Sequence, residues 1–367
     1  MTEPLFPDET PGSVPADARR GRAAGLNMAS RYDRRHAEAT DDGWAHDPDT
    51  PVPTRVDIDS SRTILARNSS PDVPFDRSIN PYRGCEHGCI YCFARPTHAH
   101  LGLSPGLDFE TRLFAKPRAA ELLAQALARP GYSVAPIALG TNTDPYQPIE
   151  KQWRIMREIL EVLWEHRHPV TITTKGGLIM RDTDILGRMA RAGLARVSVS
   201  LTTLDNAVSR AMEPRAAAPA RRIAAIRMLA QAQVPVVAAL APVVPGLTDH
   251  EVERLLQAAA DAGATHATYI ALRLPLEVAP LFRDWLTRTY PDRANKVMGR
   301  VREMHGGKDY DAQWFRRMSG EGVHADILRR RFDLAVKRHG LDRTPTPLRR
   351  DLFRVPPRAG DQLSLGL

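Results

Sequence analysis

The strongest constraint on this chain is an alternation that runs from about residue 115 to residue 275. Short apolar runs of strand length change places with longer segments of helical period. APIALG (135–140), PVTITTK (169–175), ARVSVSL (195–201), VPVVAALAPVV (234–244) and HATYIALRLP (266–275) read as strands. A helix from Pro117 to Ala128 sets Leu122, Leu123, Ala126 and Leu127 on one face. IEKQWRIMREILEVLWEH (149–166) predicts one long helix with Ile155, Ile159, Val162 and Leu163 as its stripe. Further helices are expected near 183–192 and 219–232. Thr248 and Glu251 make a capping-box pattern that opens TDHEVERLLQAAADAG. Runs that are apolar throughout must be covered on both faces, which implies βαβ units and a parallel sheet. With the short SIN stretch (78–80) ahead of the cysteines there are about six units, too few for a closed eight-stranded barrel.

An open partial (β/α)6 barrel and a doubly wound sheet both remain. No G-x-G-x-x-G follows the first strand, which weakens the dinucleotide-binding version. Either α/β architecture places chemistry at the C-terminal ends of its strands. Polar residues gather there: Cys85 onward, Thr141 to Asp144, Lys175, Ser200, Thr202 and Arg273.

The flanks differ from this middle. Residues 1–60 carry seven basic and twelve acidic side chains and little apolar period, so a disordered or draped N-terminal arm is expected. Residues 61–275 form the core, and 276–367 read as a helical, basic C-terminal extension (LFRDWLTRTY, RRRFDLAVKRH). The net charge is +8, and residues 301–360 hold fourteen basic against eight acidic groups. A solvated, Arg-rich set of helix faces explains this plainly; a face that meets the phosphates of a nucleic acid is the alternative. At 43% apolar residues a full core is available. No apolar run approaches the roughly 18 residues of a membrane span, and no secretory signal is visible, so a cytoplasmic protein away from membranes is expected.

The chain has three cysteines, Cys85, Cys89 and Cys92, within eight residues of NPYRGCEHGCIYCFARP. An odd, clustered set is no disulfide framework. Thiolates are soft ligands, suited to an iron–sulfur cluster or to zinc. Gly84 and Gly88 let the backbone curl so that three sulfurs face one point. Three thiolates can hold three irons of a [4Fe–4S] cube and leave the fourth open, as a catalytic site requires. Zinc would need a fourth ligand from His87, His98 or His100 and shows neither usual ligand spacing.

The spacing C-x-x-x-C-x-x-C, with an aromatic before its third cysteine, resembles the signature of the radical S-adenosylmethionine (SAM) superfamily. The ordered set NPYRGCEHGCIYCFARPTHAHLGL, TNTDPYQPIE, VTITTKG, SVSLTTLD, MEPRAAAPARR and APVVPGLTDHE is similar to the spore photoproduct lyase-related branch, over roughly residues 60–355. The resemblance implies a partial (β/α)6 barrel of TIM type, a [4Fe–4S] cluster and SAM. It makes Cys85, Cys89 and Cys92 the cluster ligands. It also implies one-electron cleavage of SAM to a 5′-deoxyadenosyl radical, with a protein donor such as flavodoxin or ferredoxin. Tyr91 and Phe93 fall where the family places aromatics near adenine. Thr141, Asn142, Thr143 and Asp144 fall where it binds the SAM amino group. Lys175 would meet the SAM carboxylate, and Ser200 the ribose or carboxylate. Glu213, Arg215 and Arg273 are candidate contacts or structural ion pairs; His98 and His100 could face substrate.

One departure limits what carries over. Spore photoproduct lyase has a cysteine at the end of its second strand that returns a hydrogen atom to the product radical. Thr141 stands there in this chain, and all three thiols already belong to the cysteine loop. An O–H bond is far stronger than an S–H bond, so thymine-dimer repair by that route is not expected. The reading is a radical SAM enzyme, lyase-like or transferase, whose substrate is unassigned and whose link to nucleic acid rests on basic charge. A non-catalytic iron–sulfur or zinc-dependent nucleic-acid-binding protein is the alternative.

Overall fold

The structure is a computed structural model and describes residues 13–14, 19–32, 52–343 and 345–356. Its frame is a seven-stranded sheet in which six parallel strands follow chain order. These are β1 (Arg77–Ile79), β2 (Ile137–Leu139), β3 (Val170–Thr174), β4 (Ala195–Ser200), β5 (Val236–Val243) and β6 (His266–Ala271). Ala66–Arg67 adds a short antiparallel edge on β1. The crossovers carry α1 (Ala119–Leu127), α2 (Ile155–Glu165), α3 (Thr183–Arg191), α4 (Pro219–Gln231) and α5 (Val252–Asp261). Six strands in sequential parallel order are the expected partial (β/α)6 barrel, and the doubly wound alternative is excluded because strand order never reverses.

The core follows from the apolar runs. Ile137, Leu139, Val170, Ile172, Val197 and Val236 are fully buried beneath the helices. Leu122, Leu123 and Leu127 of α1 and Ile155, Ile159 and Leu163 of α2 close over them. A second apolar cluster sits at the strands' C-terminal end. It joins Cys89, Ile90 and Tyr91 to Leu281, Phe282 and Trp285 of α6 (Val278–Thr289) and to Val297 and Val301 of α7 (Pro291–Met304). The C-terminal extension thus backs the cysteine loop. Its last long helix, α8 (Val323–Arg338), packs on α5.

Three sequence expectations are corrected. The helix expected over 149–166 is two pieces, Glu150–Trp153 and α2, because Arg154 adopts a left-handed conformation at φ 53°. The Glu150 carboxylate accepts the Met156 N–H at the new helix start, so the break is satisfied by a side chain. The Thr248/Glu251 capping box does not form. Thr248 instead accepts the Val244 N–H, and Glu251 takes the Leu204 N–H and the Thr203 hydroxyl. The last strand stops at Ala271, short of 275, where the Ala271 N–H turns to the Met318 carbonyl of the extension.

The N-terminal arm is draped where it is described: Ala23, Ala24 and Leu26 are buried in the second cluster, and Arg55–Ile58 pairs with Arg112–Ala115. The disorder expected within 1–60 falls on residues outside the described set. Six of the fourteen basic residues of 301–360 are engaged internally among the described residues, in Arg302–Asp309, Arg316–Glu321, Arg317–Asp72, Arg329–Asp326, Arg331–Glu253 and Arg349–Asp351 pairs. No helix among the described residues is long and apolar enough to cross a membrane.

Gly140 ends β2 and carries the chain into Thr141. Its φ is +80°, and a Cβ there would lie 2.0 Å from the Thr173 carbonyl oxygen of β3. Backbone cannot yield as a side-chain tip can. Gly140→Ala is therefore expected to lower unfolding free energy by roughly 2–4 kcal/mol, read by urea denaturation. An unchanged midpoint would contradict this packing of β2 on β3.

Candidate functional site

The site lies at the C-terminal ends of the strands and is organised by the loop after Ile79. Tyr82–Arg83 pairs with Arg112–Ala115, and the Cys85 N–H donates to the Phe109 carbonyl, so both sides of the loop's entrance are fixed. Gly84 and Gly88 take positive φ of 71° and 66°. The Gly88 N–H returns to the Cys85 carbonyl and the Cys92 N–H to the Cys89 carbonyl, two tight turns that fold the stretch between the first and last cysteine. The Ile90 N–H docks on the Met212 carbonyl.

Arg95, three residues past the last cysteine, is completely buried and was not anticipated from sequence. Its Nε donates to the Cys89 carbonyl at 2.9 Å and its Nη2 to the Gly88 carbonyl at 3.0 Å. Nη1 reaches the Pro105 and Gly106 carbonyls. Its charge is met by Glu110, also fully buried, at 2.6 Å. Glu110 in turn accepts the N–H groups of Ala23 and Ala24, so the arm, the loop and the helical turn Asp108–Thr111 share one ion pair. The sequence signal was faint: one arginine in FARP and one glutamate in DFET among many charged residues.

Burial pushes the Cys85 thiol well above its ordinary range, the Cys89 thiol up to about 12, and the Cys92 thiol upward as well. A buried thiolate needs positive charge at the sulfur, which a bound metal centre supplies as it displaces the proton. Lys175 and Arg95 lie near enough to favour the Cys92 thiolate, and Lys175 and Arg222 do the same for Cys89. Three free thiols that are unfavourable as thiolates alone, two of them near cations, fit an anionic cluster bound through them. Among the described residues no three His, Cys, Asp or Glu side chains group as a single metal ion requires. The proposed zinc-ligand histidines are otherwise engaged. His98 is buried behind the loop, bonded to the Arg112 carbonyl and held near 4 by burial. His100 stacks on Tyr32 at 4.9 Å, and His87 lies 3.4 Å from Asp144.

The other expected residues divide. Asp144 is mostly covered; that burial raises its pKa, but His87 and its hydrogen bonds outweigh this effect and hold the pKa at about 2. It accepts the Thr174 hydroxyl and the Lys175 N–H, each at 2.6 Å, and so ties the end of β2 to the end of β3. The Thr143 hydroxyl donates to the Tyr82 carbonyl. Thr141 and Asn142 keep side chains with no hydrogen-bond partner among the described residues, although the Asn142 N–H is held by Asn80. The Ser200 hydroxyl donates to the Ala241 carbonyl at 2.9 Å, a strand-to-strand bond.

Tyr91 is buried, and Lys175 Nζ lies 5.7 Å from its ring centre. Its hydroxyl donates to Glu213, which also pairs with Arg222 and accepts the Thr202 hydroxyl at 2.7 Å. Burial opposes ionised Glu213, but Arg222 and Lys175 more than compensate and hold it at about 2. Arg215 pairs with Glu86. Glu213 and Arg215 are thus structural ion pairs. Phe93 is 45% exposed, with Arg273 stacked over its ring at 5.1 Å.

This barrel and loop agree with the comparisons. The profile of the radical SAM superfamily matches residues 79–259. An uncharacterized protein of Mycobacterium tuberculosis is 37% identical over 253 residues, 68% of this chain and 73% of that one. One of Methanocaldococcus jannaschii is 24% identical over 214 residues, 58% and 76% of the two chains. The structure of spore photoproduct lyase complexed with dinucleoside spore photoproduct superposes with a TM-score of 0.54 at 15% identity, over 77% of this chain and 78% of that one. That superposition shows a shared fold alone. The chain belongs to the radical SAM superfamily, whose cofactors are a [4Fe–4S] cluster and SAM.

The Arg95–Glu110 pair yields a test. Glu110→Ala leaves a buried guanidinium without its counter-charge, a loss of about 3–5 kcal/mol. The variant is expected to unfold at lower denaturant and to retain less iron after anaerobic reconstitution. Wild-type iron content with wild-type stability would remove the pair from its organising place.

Proposed function

We propose that this chain is a radical SAM enzyme in which Cys85, Cys89 and Cys92 hold three irons of a [4Fe–4S] cluster and SAM binds beside them. The observation that carries the reading is the loop itself: three unpaired thiols, Cys85 and Cys89 buried and Cys92 partly so, on turns locked by Arg95, with cations near Cys89 and Cys92. Cluster and SAM together supply a 5′-deoxyadenosyl radical able to take a hydrogen atom from an unreactive carbon. The chain's own residues bind and orient. Lys175 offers its ammonium to the SAM carboxylate, and Asp144 fixes the Lys175 backbone. Thr141 and Asn142 present uncommitted oxygens to the SAM amino group. Tyr91, pinned by Glu213, forms the wall beneath Lys175. Thr143 and Ser200, whose hydroxyls are already bonded, shape the pocket. A one-electron donor protein such as flavodoxin or ferredoxin completes the requirement.

Two variants test the assignment. Cys89→Ala is expected to lose the cluster and SAM cleavage together, because two thiolates cannot hold a cube with one open iron; a full iron complement in that variant would overturn the ligand set. Lys175→Ala is expected to keep its iron and weaken SAM binding by roughly 1.5–3 kcal/mol, the worth of a hydrogen bond to a charged group. Equal SAM affinity in equilibrium dialysis would place Lys175 outside the cofactor pocket.

A further inference from the structure

The two aromatic residues that flank Cys92 each lie under a cation, and the two cations differ. Lys175, after β3, covers Tyr91 and belongs to the proposed SAM pocket. Arg273, just beyond β6, covers Phe93. Two strands, β4 and β5, separate their points of origin in the sheet. Four other arginines around the loop have carboxylate partners: Arg95 has Glu110, Arg181 has Glu150 and Asp182, Arg215 has Glu86 and Arg222 has Glu213, while buried Arg22 spends its donors on the Glu110 and Val52 carbonyls and the Thr54 hydroxyl. Arg273 has no such pair among the described residues. Its Nη1 donates to the Met318 thioether at 3.2 Å, and its Nε is buried with no hydrogen-bond partner.

A thioether is a weak acceptor and an aromatic face compensates a guanidinium only in part. The guanidinium fork therefore keeps its charge and its Nη2 for an anion such as carboxylate or phosphate, with the unpartnered Nε as the second donor of a bidentate contact once it is uncovered. Phe93 leaves 45% of its surface open beside that fork, one residue from the last cysteine. The backbone supports the arrangement: Met318, which holds Nη1, also accepts the Ala271 N–H at the end of β6.

We propose that Arg273 and Phe93 form the substrate receptor, which takes a carboxylate- or phosphate-bearing substrate with its anionic group on Arg273 and an adjoining planar or apolar portion along Phe93. The proposal rests on the radical SAM reading of the neighbouring pocket and assigns a different function to the other side of Cys92. It supplies what a hydrogen-abstracting site needs beyond its cofactor, a fixed anchor that holds one carbon of the substrate close to the cysteine loop.

The test uses the full chain, reconstituted anaerobically and saturated with SAM, so that the SAM carboxylate does not compete as a probe. Benzoate and phenyl phosphate are titrated by ligand-observed NMR, with benzamide as the neutral control. At least one anion is expected to bind, benzamide to bind more weakly, and Arg273→Gln to weaken the anion about tenfold, as loss of a charge-assisted pair does. Arg273→Lys, which keeps the charge and loses the fork, is expected to recover part of that affinity, and Phe93→Leu to weaken both aromatic anions. Preference for phenyl phosphate identifies a phosphate-bearing substrate, and preference for benzoate a carboxylate. Absence of anion binding to the wild type, or equal binding in wild type and Arg273→Gln, overturns the proposal. It also falls if Arg273→Gln weakens SAM while leaving the probes unaffected, since the guanidinium then serves the cofactor. SAM affinity of the wild type, measured separately by dialysis, reports on the cofactor pocket alone, so the two readings fail independently.

Discussion

A fully buried arginine is unfavourable unless its charge and all its donors are met, and Arg95 is met on every side. Glu110 supplies the charge, and four carbonyls supply the remaining acceptors. Two of those carbonyls belong to Gly88 and Cys89, within the cysteine loop. The peptide planes between the first and last thiol are therefore set by a rigid fork and not by the metal centre alone. The same Glu110 anchors Ala23 and Ala24, which makes the N-terminal arm part of the loop's support. Gly88 has to be glycine for two reasons that meet here: a positive φ, and a Cβ position only 2.7 Å from the Glu110 carboxylate.

Around this fixed loop the barrel distributes charge in pairs. Asp144 and Glu213 stay ionised with little exposure because Asp144 accepts the Thr174 hydroxyl and the Lys175 N–H and Glu213 faces Arg222 and Lys175. Asp144 uses that charge to join β2 to β3, and Glu213 uses it to hold Tyr91 and Arg222. Among the described residues, Lys175 on one side of Cys92 and Arg273 on the other make no direct ion pair, although Lys175 also acts on Glu213. Both carry positive charge toward a region where a thiolate cluster would be negative and where SAM and an anionic substrate would bring carboxylates or phosphate. The basic C-terminal extension makes a different contribution. Some of its arginines pair with acids, and its apolar faces back the loop.

Much of the frame was legible because it depends on repeated signals. Five apolar runs at strand length and five amphipathic segments read as βα units, and their number ruled out a closed barrel. The cysteine spacing was legible because few other residue sets ask for it. Single residues that act through distant partners were not. Nothing near Arg154 announces a left-handed break, which depends on the Glu150 carboxylate reaching Met156. Thr248 and Glu251 have the right spacing for a capping box, yet tertiary partners at Val244, Thr203 and Leu204 claim both side chains. Arg95 looks like any loop arginine until its partner 15 residues away is known. Ser200 and Thr143 are at the expected strand ends, but their hydroxyls close backbone gaps.

The central claim is that the cysteine loop is built for a cube of iron and sulfide with one iron left open. Iron, zinc and acid-labile sulfide can be counted on the wild-type chain after anaerobic purification and reconstitution. The account predicts about four irons and four sulfides per chain and no stoichiometric zinc. One zinc per chain with no sulfide, or a cluster smaller than four irons under reducing conditions, would contradict it.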